Sequence, residues 1–242
     1  MTEMMPTVLV TGGTRGIGKA IADVFGGSGY KVAVCGRREP ESCAHSFFAA
    51  DVREAEQCAA LIDKVKEEFG RLDILVNNAG GSPPADSATV SARFSEKIVR
   101  LNLLAPMWLA QAANALMQEQ DSGGVIINIA SVAALRAAPT IAAYGAAKAG
   151  LINLTKTLAV EWAPKVRVNA VTPGLIATEN AGEHYPDMDV IAATVPLGRF
   201  GTPEDVAAAC LWLASQSAGY VSGANIVLDG GGEWPAFLRP KT

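Results

Sequence analysis

The chain has 242 residues, 50% of them hydrophobic, and a formal net charge of −4 at pH 7. That supplies the core of a sizeable globular domain, and the acidic balance argues against a nucleic-acid or anionic-membrane partner. No apolar run approaches the roughly eighteen residues of a membrane span, and "MTEMMPTVLV" lacks the basic and apolar regions of a secretion signal. Cys35, Cys43, Cys58 and Cys210 show no C-x-x-C metal spacing, so a cytoplasmic protein with reduced thiols and no metal site is expected.

In chain order, short β-branched runs alternate with helix-length segments. "TVLV" from Thr7 leads into the glycine-rich "TGGTRGIG" and a helical "KAIADVF"; "KVAVC" from Lys31 and "SFFA" from Ser46 follow. After the helical "EAEQCAALIDKVKEEFG" come "DILV" from Asp73, a helical stretch over 101–117, "VIINI" from Val125, a second helical stretch over 144–163, and "RVNAV" from Arg167. "PEDVAAACLWLAS", opened by proline and two acids as helices often are, precedes "NIVL" from Asn225. Most of the runs are unbroken rather than alternating, the pattern of strands buried on both faces. Strand–helix alternation of this kind builds a parallel sheet with helices on both sides. With no repeat, low-complexity tract or linker, one domain over residues 1–242 is expected.

Two features depart from a plain alternation. Only ten residues, 36–45, separate "VAVC" from "SFFA", and Pro40 interrupts them. A parallel crossover normally takes about a dozen or more, usually with a helix, so a loop or single turn is expected here. The stretches 101–117 and 144–163 carry small and apolar residues on more than one face, which fits deep burial within the monomer or, the favoured reading, a helix-on-helix subunit interface.

"TGGTRGIG" lies directly after the first strand and opens the first helix. Glycines there let the backbone approach a pyrophosphate, whose charge sits at the helix N-terminus, which nominates Gly12, Thr14, Arg15, Gly16, Ile17 and Gly18 as cofactor-binding. The spacing is T-G-x3-G-x-G, not the commoner G-x-G-x-x-G. In dinucleotide sites an acid at the end of the second strand binds the ribose 2′-hydroxyl, and an arginine there accommodates a 2′-phosphate. Here Cys35 and Gly36 stand where the acid would be, followed by Arg37 and Arg38, with Arg15 aimed at the same region. Arginine forks pair with a phosphate dianion, so NADP(H) is expected over NAD(H).

These pieces, with "DV" at Asp51 and Val52, "NNAG" over 77–80, Asn102, Ser131, "YGAAK", "VRVNAVTPG" and "VLDGGG", resemble the short-chain dehydrogenase/reductase family, classical type, over essentially the whole chain. The resemblance implies an α/β Rossmann fold, a doubly wound seven-stranded parallel sheet in the order 3-2-1-4-5-6-7, with a nicotinamide cofactor across its C-terminal edge. It implies that Asp51 and Val52 flank the adenine, and that the backbone of Asn78, Ala79 and Gly80 lines the adenosine side. Pro173, Gly174, Ile176 and Thr178 would hold the nicotinamide and pyrophosphate, followed by a substrate loop at about 175–196. It also implies a homo-oligomer, a tetramer first and a dimer second. The shortened second crossover departs from the family pattern.

Reducing a ketone by hydride transfer leaves an alkoxide that needs a proton, and oxidation needs the reverse. Tyrosine can serve, but its free pKa is near 10, and lowering it by about three units takes roughly 4 kcal/mol. A cation about 4–5 Å away at an effective dielectric near 20 supplies some 3–4 kcal/mol. Lys148 follows Tyr144 at i+4, on the same helical face, so it is expected to lower the Tyr144 pKa. Ser131 ends the "VIINIAS" strand and is placed to hold the substrate oxygen against the phenol. The resemblance gives Asn102 a role in holding a water that links Lys148 to solvent, and gives Lys148 a grip on the nicotinamide ribose. The catalytic set is thus Asn102, Ser131, Tyr144 and Lys148, with Tyr144 and Lys148 also touching cofactor.

The substrate is less sharply written. "GSPPAD", "VAALRAAP" and "LIATENAGEHYPDMDV" are the pocket segments. Arg136 meets a carboxylate or a carrier's phosphate, or is a solvent-facing loop charge; His184 and Tyr185 shape the entrance or are simply loop residues. "VPLGRFGTPEDVAAACLWLAS" and "SGANIVLDGG" most resemble 3-oxoacyl-carrier-protein reductases, which puts 3-oxoacyl thioester reduction first. A secondary-alcohol, steroid-like or polyol dehydrogenase comes next, and a non-catalytic dinucleotide-binding module last, since such relatives lose the tyrosine or lysine. The tail "EWPAFLRPKT" is too short for its own core and is expected to pack on its own body or on a neighbouring subunit.

Overall fold

The β-branched runs form seven strands: β1 (Thr7–Thr11), β2 (Lys31–Gly36), β3 (Ser46–Ala49), β4 (Ile74–Asn77), β5 (Gly124–Ile129), β6 (Val166–Pro173) and β7 (Asn225–Leu228). They are seen in a computed structural model that describes residues 5–185 and 187–234, the side chains of 183 and 184 excepted. The strands make one sheet in the order β3-β2-β1-β4-β5-β6-β7, every neighbouring pair parallel. Helices α1 (Gly16–Gly27), α2 (Ala55–Phe69), α3 (Ala92–Val99), α4 (Ala105–Glu119), α5 (Ala142–Glu161), α6 (Ala181–His184), α7 (Met188–Ala192) and α8 (Pro203–Ala214) fill the connections.

Alternation along the strands separates two cores. Leu9, Leu75, Ile126 and Val168 face Leu61 and Val65 of α2, Leu109 and Met117 of α4, and Leu158 of α5. Val8, Val10, Val34, Val76 and Ile127 point the other way, onto Ile21 and Phe25 of α1 and Val206, Cys210 and Leu213 of α8. With both faces covered, the strand sequences have to be nearly continuous apolar runs. The carboxyl ends of β1, β4, β5 and β6 share one edge, where ligands of open α/β sheets bind. Among the described residues no helix is long and apolar enough to cross a membrane.

The second crossover has no helix. Residues 37–44 are exposed except for half-buried Pro40, and the loop is anchored at its end by His45, whose Nε2 lies 3.0 Å from Asp23 Oδ1 on α1. The helical stretch expected over 101–117 differs from the sequence reading. It begins at Ala92, where Ser91 caps α3 by accepting from Phe94 N, and passes through a π-helical turn, Arg100–Leu104, into α4. Pro106 has no N–H to give the carbonyl four residues back, at Asn102, and a widened turn accommodates that loss.

Candidate active site

After β1 the chain turns through Gly12 at φ +64° and Gly16 at φ +53°, conformations that side chains disfavour. Gly18 is needed for another reason: a Cβ there would run into the carbonyl oxygen of Gly12 and the amide of Asn78, so α1 could not close on the turn. Arg15 stands at the N-cap of α1 without capping it, and no acid occupies the first turn. The N–H groups and the positive end of the helix dipole are therefore open to an anion. A carboxylate of the protein reaches them: Glu179 Oε1 accepts from Gly16 N at 3.2 Å. Thr178 covers the same turn, its Cγ2 3.5 Å from where a Gly16 side chain would begin. Thr14 and Ile17 are half-buried beside it.

Thr11 and the Asn78 side chain clamp this turn to β4, a role the sequence reading missed. Thr11 Oγ1 accepts from Asn78 N and from Ala79 N, both at 3.0 Å, and Asn78 Nδ2 donates to the Thr11 carbonyl at 2.9 Å. Below the edge, Asn77 Nδ2 donates to Asn128 Oδ1 and Asn128 Nδ2 to Thr155 Oγ1, both at 2.9 Å. That chain ties β4 and β5 to α5; the signal for it was asparagine inside two otherwise apolar strands.

Arg15, Arg37 and Arg38 are all exposed, and none takes part in an ion pair among the described residues. The Asp51 carboxyl pairs with Arg53. Arg53 Nε donates to its Oδ1 at 2.9 Å and Arg53 N at 3.1 Å, and Arg53 holds the carboxyl below its usual range against the opposing effect of burial, with Arg37 helping. Val52 is buried in the core.

The four proposed catalytic positions come together at the carboxyl ends of β4 and β5. Tyr144 and Lys148 lie one turn apart in α5, with Lys148 Nζ 5.8 Å over the tyrosine ring centroid. Lys148 is 2% exposed and donates to the Ile129 carbonyl at 2.7 Å. Ser131, just past β5, stands beside the Tyr144 phenol, and its Oγ accepts from Ala133 N at 3.2 Å, capping the 3-10 turn Val132–Ala134. Asn102 sits in the π turn, fully buried. Its Oδ1 accepts from Gly81 N at 2.9 Å, and its Nδ2 donates to Ile98 O at 2.9 Å and Gly81 O at 3.0 Å. A Cβ at Gly80 would stand 2.7 Å from Asn102 Oδ1 and 3.2 Å from Lys148 Nζ, so Gly80 packs directly on both groups.

The small residues around the tyrosine follow from packing. A side chain at Gly145 would meet the Ala133 carbonyl oxygen at 2.7 Å, and one at Gly150 would meet Leu103 Cδ2 at 3.1 Å. α5 thus lies against the turn after Ser131 at one glycine and against the π turn at the other.

The electrostatics correct one expectation. Burial pushes the Tyr144 phenol above its ordinary pKa, and the Ser131 hydroxyl beside it only partly opposes this, while Tyr185 adds to the rise. Burial alone pushes Lys148 down to about 8. The sequence estimate set a full charge beside an unburied phenol; in the fold both groups are desolvated, which disfavours phenolate and ammonium alike.

After α5, Pro173 ends β6 and Gly174 packs so closely that a Cβ would lie 2.8 Å from Asp229 Cα. Ile176, 9% exposed, bridges to Gly201. Arg136 is paired: its Nη2 lies 2.6 Å from Glu233 Oε1, across a small cleft lined also by Val132, Leu175, Val195 and Asp229. Tyr185 packs edge-on against Phe200 at 5.6 Å between ring centroids. The side chain of His184 and residues 235–242 of the tail lie outside the described residues. The tail's start packs on its own body, with Trp234 N donating to the Thr194 carbonyl at 3.1 Å.

Residues 12–233 match the family model described as Enoyl-(Acyl carrier protein) reductase. The chain is 37% identical to the D-threitol dehydrogenase of Mycolicibacterium smegmatis, covering 92% of this chain and 91% of that protein. It is 39% identical to the 3alpha-hydroxysteroid dehydrogenase of Mediterraneibacter gnavus, covering 92% and 94%. Among solved structures, ElxO with NADP bound superposes with a TM-score of 0.88 at 34% identity, covering 94% of this chain and 98% of that one. With this sheet order, glycine turn and matched length, the chain belongs to the short-chain dehydrogenase/reductase family.

Proposed function

We propose that this oxidoreductase interconverts a ketone and a secondary alcohol with NADP(H), Tyr144 being the proton donor and acceptor. The observation that carries the reading is Tyr144 beside Ser131, with Lys148 buried one turn on and its Nζ 5.8 Å from the tyrosine ring centroid. The residues present fit the cofactor: α1 has no side-chain cap and no first-turn acid, and a carboxylate rests where a phosphate oxygen would. Gly12, Gly16, Ile17, Gly18 and Thr178 would hold the pyrophosphate; Arg15, Arg37 and Arg38 the 2′-phosphate; Asp51, Val52 and the 78–80 backbone the adenosine; Pro173, Gly174 and Ile176 the nicotinamide. Bound there, the nicotinamide supplies the hydride in reduction and accepts it in oxidation.

The protein's own residues manage the proton. Ser131 donates a hydrogen bond to the substrate oxygen and fixes it beside the phenol. Tyr144, kept protonated at neutral pH by its raised pKa, gives its proton to that oxygen. Lys148, charged below about pH 8, stabilises the phenolate left behind, and Asn102 holds Gly81 and the end of α3 in place beneath it. Tyr144→Phe is expected to bind NADPH and to fold as wild type does while losing at least about 100-fold in turnover; retention of wild-type turnover would overturn this assignment.

Arg136 favours an uncharged substrate, a secondary alcohol of polyol or steroid-like kind. Its charge is already met by Glu233, and Asp229 leaves the cleft with an excess of negative charge, which offers a phosphorylated acyl carrier no reward. The second reading, a 3-oxoacyl thioester, draws support from the acyl-carrier description of the matched family. The segment 175–196 serves as the substrate loop, the assembly is a homotetramer, and the four unpaired thiols suit the cytoplasm.

A further inference from the structure

The contact between Glu179 and the phosphate turn has a consequence for cofactor affinity. Glu179 lies on the segment after β6, yet its carboxylate accepts from the backbone N–H of Gly16, 163 positions away in sequence, at 3.2 Å. The second oxygen, Oε2, lies 3.6 Å from where a Gly16 side chain would begin. Among the described residues no other acid serves the first turn of α1, and Arg15 gives it no side-chain cap. A carboxylate in this position takes the same donor and the same dipole that a diphosphate needs. Its side chain is exposed, so nothing in the packing compels the contact.

We propose that Glu179 is an affinity-setting residue of the cofactor site: an internal anion that occupies the Gly16 N–H and must leave before a dinucleotide's pyrophosphate can take it. This rests on the dinucleotide reading given above. Once displaced, the carboxylate stays close to the incoming phosphates and repels them, so its charge opposes binding in both steps. The effect falls on the pyrophosphate, which NADPH and NADH share, and therefore leaves the discrimination between them unchanged.

The test is a fluorescence titration of NADPH and of NADH at low ionic strength, where surface charges are least screened. It compares the wild-type chain, Glu179→Gln, Glu179→Ala, and Glu161→Gln as a control for net charge, since Glu161 ends α5 and is exposed. The expected result is a Kd lower by about 2- to 5-fold for both cofactors in both Glu179 variants. Inorganic pyrophosphate should compete better by a similar factor, and Glu161→Gln should match wild type. Unchanged or weaker binding in the Glu179 variants, or an equal gain in Glu161→Gln, would overturn the role of Glu179. Absence of dinucleotide binding in every protein tested would instead overturn the functional reading on which it rests.

Discussion

At the scale of single residues, Tyr144 and Lys148 stand out from the sequence by spacing, but their titration does not. The i+4 interval shows which groups share a face; how far each is desolvated depends on Ile129, Asn102 and Gly80, which only the fold brings near. The structure makes Lys148 the group that titrates near neutrality. Accordingly kcat/KM for NADPH in ketone reduction, which reports the free enzyme, is predicted to fall along a one-proton limb centred near pH 8; a flat profile to pH 9.5 would exclude Lys148. The same burial costs stability. The unfolded chain keeps this proton up to about 10.5 and the folded chain releases it above about 8. Between those values the unfolded state holds more protons and stability rises with pH; below 8 the whole cost, on the order of 3 kcal/mol, is present. Lys148→Met leaves the Ile129 carbonyl unpaired, at about 1–2 kcal/mol, and is still predicted to melt higher than wild type at pH 7, with the gap closing by pH 10. An inactive variant that melts lower at pH 7 would contradict this.

At the scale of elements, the strands were legible because burial on both faces writes them as apolar runs. α3 was not, since its "ARFSEKIV" is only eight residues long, about two turns, and buries only Ile98. The π turn was hidden for a different reason: Pro106 signals a break in hydrogen bonding, but whether the helix kinks, stops or widens is decided by packing. α5 offers a sharper test of how the elements position the site. Gly145→Ala is predicted to push α5 from the Ala133 carbonyl and to lower kcat about 10- to 100-fold, because small misplacements of reacting groups are costly. Gly150→Ala meets only the end of Leu103, a flexible side chain, and should stay within about 3-fold of wild type. Equal effects of the two, read from steady-state kinetics with melting curves alongside, would show that the contact at Ala133 does not position Tyr144.

At the scale of the whole molecule, the parallel sheet was legible from the strand–helix alternation and the phosphate-binding edge from the glycine turn, while the sheet order came from the family resemblance. The short second crossover was legible from length alone, and its loop carries Arg37 and Arg38 into solvent. What the sequence could not show was that Arg136 finds Glu233 nearly a hundred residues later, where the turn after β7 folds back over residues 194–197. Quaternary structure belongs to this scale too. α5 leaves Val160 81% exposed on a face otherwise carrying small and polar residues, which suits a helix-on-helix contact. Sedimentation should give a tetramer at micromolar concentration, and a monomer there would remove the proposal.

The most direct measurement of the central claim is the oxidation of NADPH and, in parallel, NADH by the purified wild-type protein against uncharged cyclic and polyol-derived ketones and an acetoacetyl thioester, with Tyr144→Phe as control. Turnover is expected with NADPH well above NADH, greatest on the uncharged ketones and abolished in Tyr144→Phe. Cofactor binding without turnover of any ketone, or turnover that survives Tyr144→Phe, would contradict it.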